Sequence, residues 1–339
     1  MKSLSLKDRH IDFFSGNKYI ALPHRKNPKV LLALGSDIET KASFQIYNPF
    51  SFKAKILKKI ALRFPFFNTV VKKKSDFIAF LEKKLKTELI SSVYYSSCKY
   101  KVVLQLQSNG LVLCYLKLGI TDKGNEKVQK EYGALSILEG DIAPKVIDSG
   151  FFKGHFFLLI EPIKGIQKKP LRQDLNILLA ELKHSPIKEF KLSNHPRVLS
   201  IKKRLVNCNM EQYLMLLDKI IASDNSKYLL VYEHGDFTEW NMQYTDSQYQ
   251  LIDFEYFEKN GIEGMDLCKF YYAHEVYVNN SQPSKVVNEI LQNIGDRLKD
   301  ILFIFLLNEV LFRYENNWNN SRDKKVLDCY IKEKINGRV

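Results

Sequence analysis

The sequence predicts an α+β fold in two lobes, a smaller one of antiparallel strands and a larger, mostly helical one, preceded by an N-terminal extension. Three observations predict it. Between residues 89 and 165, short runs rich in β-branched and aromatic residues alternate with turn residues, the pattern of hairpins. After residue 166, apolar residues recur at three- and four-residue spacing, the period of helices facing a core. Before residue 76, strands bounded by Pro and Gly and a strongly basic helix stand apart from both. The boundaries drawn are 1–75, 76–165 and 166–339, in a chain longer than one average domain.

Taken in order, residues 18–23 and 28–34 read as strands and residues 44–49 as a third. A helix over residues 51–62 carries Ala54, Leu57, Ala61 and Phe64 on one stripe. It stops at Phe64-Pro65-Phe66, because Pro disfavours helical geometry in the residue before it. Residues 75–86 form a second helix, with Phe77, Phe80, Leu81 and Leu85 inward. Residues 89–95, 100–107 and 111–118 are strands, the last two joined by a tight turn at Ser108-Asn109-Gly110. The helix over 126–138 places Glu131, Leu135 and Leu138 on one face, and residues 142–150 and 155–165 give two further strands. A helix at 173–182 precedes a basic, loop-rich stretch to about Arg204, and a helix at 210–221 leads to a strand at 228–232. Helices then open at Met265, run over 284–293 and 296–314, and the polar tail ends in a short helix.

Apolar content of 45% and aromatic content of 12% supply ample core. Cys98, Cys114, Cys208, Cys268 and Cys329 are scattered, odd in number and without metal-ligand spacing, so they read as reduced thiols of a cytosolic protein. The first residues lack the apolar run of a signal peptide, and the longest apolar run, residues 301–307, is too short to span a bilayer. A soluble, cytoplasmic protein is expected. The net charge of +14 points to anionic partners. No helix-turn-helix, zinc-finger or RNA-binding signature accompanies that charge, so nucleic acid is not the expected partner.

The chemistry concentrates in Tyr232-Glu-His-Gly-Asp-Phe-Thr-Glu-Trp-Asn-Met242, followed by Leu251-Ile-Asp-Phe-Glu255. Two short strands, 228–232 and 248–252, would deliver Asp236, Asn241 and Asp253 to one end of a hairpin-like unit. A carboxylate to orient a hydroxyl and oxygen ligands for magnesium are what phosphoryl transfer from a nucleotide requires. Protein kinases carry His-Arg-Asp, four spacers, Asn, and later Asp-Phe-Gly; here Gly235 replaces the Arg and Glu255 the last Gly. His-Gly-Asp-x4-Asn followed by Ile-Asp-Phe-Glu resembles the aminoglycoside phosphotransferase and choline kinase family, small-molecule relatives of protein kinases. Phe237-Thr238 and Trp240-Asn241 are most similar to a bacterial branch associated with surface-glycan biosynthesis, which has Pro where this chain has Glu239.

The resemblance implies a bilobal protein-kinase-like fold and an ATP- and Mg²⁺-dependent transferase. It implies Asp236 as the catalytic base, Asn241 and Asp253 as metal ligands, and His234 and Asp266 as structural support. Lys117, late in the third small-lobe strand, would be the phosphate-binding cation, paired with Glu131; Glu126 is the competitor for that pairing. Ser96 and Ser97 stand in the phosphate-covering loop, which here lacks glycine, and Glu161 to Ile163 would offer backbone groups to an adenine edge. Glu255 is a further candidate for metal or substrate binding.

Only twelve residues separate Asp253 from Asp266 and no Ala-Pro-Glu follows, which leaves little room for a peptide-docking activation segment. The acceptor is therefore expected to be a small molecule or glycan, such as a sugar, a phosphorylated sugar or a lipid-linked glycan, in surface polysaccharide or lipopolysaccharide biosynthesis. Polycationic aminoglycosides fit a +14 protein poorly. The rival reading is a catalytically inactive scaffold in a glycan-assembly complex, against which the full set Lys117, Glu131, Asp236, Asn241 and Asp253 speaks. Residues 53–86 carry eleven Lys or Arg against Asp76 and Glu82, with Leu57, Ile60 and Phe64 interleaved. That run is either a solvated face or a contact with an anionic, membrane-associated partner at the inner face of the membrane.

Overall fold

The computed structural model describes residues 11–49, 52–64, 68–95, 99–138, 142–183, 186–224, 226–246 and 248–335. It has the expected α+β class and divides into two compact units, Met1–Lys164 and Gly165–Val339. Among the described residues no helix is long and apolar enough to cross a membrane.

The first unit is an antiparallel sheet with helices on its faces. Its strands are β1 (Lys18–Leu22), β2 (Val30–Leu34), β3 (Thr69–Val71), β4 (Ile90–Tyr95), β5 (Lys101–Ser108), β6 (Leu111–Gly119), β7 (Val146–Phe152) and β8 (His155–Ile160). They lie in the order β3-β1-β2-β4-β5-β6-β8-β7, so the strands before residue 75 continue the same sheet as those after it. The helices are α1 (Asp37–Ser43), α2 (Phe52–Arg63), α3 (Asp76–Leu85) and α4 (Asp122–Leu135). Side chains alternate across a strand, and here both faces are covered. Tyr19, Ala21, Leu31 and Ala33 join Phe77, Ile78 and Leu81 of α3 in one cluster. Ile20, Leu22, Val30 and Leu32 join Ala61 and Leu57 of α2, with Phe44 and Tyr47, in another. Burial on both faces explains why β1 and β2 read as unbroken apolar runs.

The β5–β6 turn is as expected: Asn109 and Gly110 take φ of 51° and 80°, the left-handed pair a tight hairpin needs. The third early strand is not. Residues 37–43 are α1, and residues 44–46 are a 3₁₀ turn. Ser36 and Glu39 form a reciprocal capping box that starts α1. Phe44 and Tyr47 are buried at i, i+3 spacing, which suits that turn rather than a strand. Helix α4 begins four residues before the expected start, where the Thr121 side chain accepts from Gly124 N.

The second unit holds α5 (Arg172–Glu181), β9 (Glu189–Phe190), α6 (Pro196–Asn207), α7 (Glu211–Ser223), β10 (Tyr228–Glu233), β11 (Met242–Tyr244), β12 (Tyr249–Leu251) and β13 (Glu258–Ile262). Helices α8 (Met265–Ala273), α9 (Pro283–Ile294), α10 (Lys299–Glu315) and α11 (Ser321–Ile335) complete it. α6 occupies the stretch expected to be loop-rich. Pro196 sits in its first turn, where a missing N–H costs nothing, and Val198, Ile201 and Leu205 are buried on one side. The intervening Lys202, Lys203 and Arg204 had hidden that period. The strand pairing also differs from the expected hairpin. β10 pairs with β13 and β9, whereas residues 249–251 pair with residues 242–244. The motif's two halves thus meet through β11–β12, with β10 feeding in from a separate three-stranded sheet.

Candidate active site

In the first unit Lys117 and Glu131 form a deeply buried ion pair. Leu116 and Leu118 point into the core of β6, and alternation turns Lys117 to the opposite face. Glu131 is buried on α4, three residues before Ala134 and four before Leu135, which are buried with it. Lys117 Nζ donates to Glu131 Oε1 at 2.6 Å, with the residues 7% and 1% exposed. At such burial each charge needs its partner, since removing one leaves the other stranded. Glu126 is exposed. Ser96 and Ser97 lie outside the described residues. Beyond β8, the Glu161 N–H donates to Lys145 O at 2.9 Å, which ties that amide into the sheet. Of the groups expected to meet an adenine edge, the Glu161 carbonyl and the backbone of half-buried Ile163 are then the ones to consider.

In the second unit the loop after β10 is assembled by hydrogen bonds. Arg197 of α6 holds Glu233, at the end of β10, through two 2.6 Å contacts from Nη1. Asp266, at the start of α8, accepts from His234 N at 2.8 Å and Gly235 N at 3.0 Å. Burial and then the nearby Glu233 carboxylate raise Asp266 above the usual carboxylate range, against the pull of those two amides and of Arg197. Gly235 has φ of 78°, and a Cβ there would lie 2.4 Å from Tyr256 O. No side chain fits, which accounts for glycine where protein kinases place arginine.

His234 ties the two halves of the motif together. Its Nε2–H donates to Ile252 O at 3.0 Å, and its Nδ1 accepts from Asp236 N at 3.2 Å. Those two bonds fix the tautomer, and the ring packs 4.5 Å, centroid to centroid, from Phe254. Asn241 is anchored as tightly. Its Nδ2 donates to Asp236 O and to Asp236 Oδ2, both at 2.9 Å, so its amide oxygen faces away from that carboxylate. Ile252 N donates to Asn241 O at 2.9 Å, which brings the residue before Asp253 against Asn241. Asp253 itself has φ of 67°, a left-handed conformation that Asp tolerates better than most side chains. Asp236, Asn241 and the start of the Asp253 turn are therefore one hydrogen-bonded unit. Glu255 is buried nearby in sequence.

Sequence reasoning missed Lys269. It lies on α8 three residues after Asp266, so the two share a helix face. Its Nζ is 3.1 and 3.2 Å from the Glu309 carboxylate oxygens and 3.7 Å from Asp236 Oδ1. Burial alone would discharge this lysine; Glu309 and then Asp236 outweigh it and hold the ammonium above its ordinary range. The i, i+3 spacing was the available signal, while Glu309, inside the apolar α10, gave none.

The donor set suits a hard divalent cation. Mg²⁺ takes one or two carboxylates with other oxygens and keeps several waters, and Asn241 Oδ1 with the Asp253 carboxylate offers that chemistry. Among the described residues no cluster of three or more His, Cys, Asp or Glu forms an all-protein metal cage.

His195 supports this site from behind. It caps α6, its Nδ1 accepting from Arg197 N at 3.2 Å and its Nε2–H donating to Asn260 O at 3.0 Å. Burial and then Arg197 depress it to about 4. Native His195 thus stays neutral while the unfolded chain takes up a proton below about pH 6.5. The stability from this residue is complete above pH 6.5 and is lost as pH falls towards 4, by up to about 3 kcal/mol. Thermal melts of wild type and His195→Gln across that range are expected to show a shallower pH slope in the variant; identical slopes would remove His195 from this role.

No protein-family model matches the chain, and no curated protein matches it. Solved structures do resemble it. A protein assigned as a fructosamine-3-kinase of Haemophilus somnus 129PT aligns at 13% identity and TM-score 0.44, covering 76% of this chain and 96% of that one. One so assigned from Thermobifida fusca YX-ER1 gives 13% and 0.45, over 76% and 97%. A glucosamine kinase in complex with glucosamine, ADP and inorganic phosphate gives 9% and 0.40, over 79% and 84%. All three TM-scores are below 0.5, so the likenesses by themselves establish neither substrate nor chemistry.

Proposed function

We propose that the chain is a phosphotransferase that moves the γ-phosphoryl group of ATP to a hydroxyl of a small molecule or glycan. The observation that carries the reading is the bonding of Asp236 to Asn241 and, through His234, to the strand that ends before Asp253. Asp236 Oδ2 is committed to Asn241, while the 3.7 Å separation from Lys269 leaves Oδ1 able to accept from an incoming hydroxyl. Asp236 orients that hydroxyl and takes its proton as the new oxygen–phosphorus bond forms. Lys117, held by Glu131, meets nucleotide phosphates, and Lys269 offsets charge gathering beside Asp236. Asn241 and Asp253 would hold Mg²⁺, which when bound neutralises phosphate charge.

The acceptor is best sought among sugars, phosphorylated sugars and lipid-linked glycans of surface polysaccharide or lipopolysaccharide assembly. The motif's likeness to that branch and the net charge of +14 support this choice. A cytoplasmic place follows from the use of ATP. A nucleotide-consumption screen across sugars, amino alcohols and glycolipid fragments tests the reading. Turnover with at least one hydroxyl acceptor, abolished without magnesium, is the expected result. No consumption with any acceptor, in protein that still binds nucleotide, would favour the inactive scaffold.

A further inference from the structure

We propose that the outer face of α2, with the basic cleft beside it, docks the protein on an anionic bilayer surface. The basic run of residues 53–86 is not one surface. Lys58 turns inward to Tyr47 O, Lys74 pairs with Glu82 at 2.6 Å, and Lys84 pairs with Asp148 at 2.7 Å. Of the eight that remain, Lys72, Lys73, Lys83 and Lys86 lie elsewhere, and four share α2 with an exposed apolar stripe. Leu57 and Ala61 face the sheet, and the opposite side carries Phe52, Ile56 and Ile60 at i, i+4, i+8, exposed by 77%, 41% and 44%. Residues at that spacing form one stripe along a helix. Lys53, Lys55, Lys59 and Arg63, all exposed, flank it on both sides. A bilayer interface accepts both at once, the stripe among the acyl chains and the cations among the headgroups.

The cleft extends that basic surface beyond the helix to Lys18 and Lys41. A hollow of about 710 Å³ is lined by Lys59 and Arg63 of α2 together with Lys18, Lys41, Thr40 and Asp37. Four cations face one carboxylate there, on the edge of the apolar stripe. That is the chemistry of a phosphate-bearing headgroup held beside an inserted helix face. This inference rests on the first unit alone and stands or falls separately from the phosphotransferase reading.

Vesicle sedimentation tests it, with phosphatidylcholine vesicles against vesicles also containing phosphatidylglycerol, at low and high salt. Wild type is expected to sediment with the anionic vesicles at low salt and to be released at high salt. Ile56→Asp/Ile60→Asp and Lys55→Gln/Lys59→Gln/Arg63→Gln are each expected to lower association at least about tenfold, since one basic residue contributes a factor of about five. Phe52→Trp reports insertion without disrupting the helix, as a blue shift on adding anionic vesicles beyond any in wild type. Wild type left in the supernatant at low salt, an unshifted Phe52→Trp, or aspartate variants that bind as wild type would each overturn the proposal. So would release from the vesicles by millimolar glycerol phosphate, which would assign the cleft to a free phosphate compound.

Discussion

Asp236→Asn is expected to bind nucleotide within a few-fold of wild type and to transfer its phosphoryl group about 10²–10⁴-fold more slowly. The substitution is nearly isosteric, and the structure shows why the loop should survive it. Asp236 N still donates to His234 Nδ1, and the Asp236 main-chain oxygen still accepts from Asn241 Nδ2. What changes is the side chain. An amide cannot take a proton from the acceptor hydroxyl, and its nitrogen would oppose either Asn241 Nδ2 or the Lys269 ammonium. Single-turnover transfer, measured beside nucleotide titration calorimetry, separates the two effects. Turnover within a few-fold of wild type would exclude Asp236 as the base; loss of nucleotide binding would mean that it shapes the site instead.

Legibility followed the range of the interactions. Strands β4 to β6 were readable because their signals are local: alternation, β-branched and aromatic residues, and an Asn-Gly turn. The pairing of Lys117 with Glu131 was readable because the resemblance singles out Lys117 by its order in the chain, while the helical period turns Glu131 rather than Glu126 inward. Helices α1 and α6 were missed for different reasons. In α1 the apolar period is nearly absent over seven residues, and only the Ser36–Glu39 box marks its start. In α6 the period is present but set among basic residues that suggested a loop.

Within the candidate site the sequence shows the atoms at motif spacing and hides what orients them. Arg197 is 36 residues from Glu233 and Glu309 is 40 from Lys269, and no periodicity spans such separations. The partner of β10 was misassigned for the same reason. The strand nearest in chemistry, 249–251, is not the one nearest in space, because β11 intervenes and takes it. Tertiary pairing of this kind is decided by packing that local propensity does not encode.

Asp253→Asn is expected to fold as wild type and to lose most of the magnesium-dependent increment in nucleotide affinity. The choice of Asn over Ala follows from the backbone. At φ of 67° an alanine would be strained, so a loss seen in Asp253→Ala would mix misfolding with lost ligation. Asn adopts that conformation readily and keeps one oxygen of similar reach, while removing the charge. Unit charges about 4 Å apart exchange roughly 4 kcal/mol near a protein surface, so losing a carboxylate that touches a dication should cost at least the ~1.4 kcal/mol of one decade in affinity. Asn241 Oδ1 remains in place, because its nitrogen is held by Asp236 and not by Asp253. The residual site therefore keeps its shape and lacks only charge. Calorimetric titration of ATP with and without magnesium should show wild type and Asp253→Asn alike in the absence of the ion and at least tenfold apart in its presence. Equal gains from magnesium in the two proteins would sink the assignment of Asp253 as a metal ligand, and with it the reading of Asn241 and Asp253 as a shared pair.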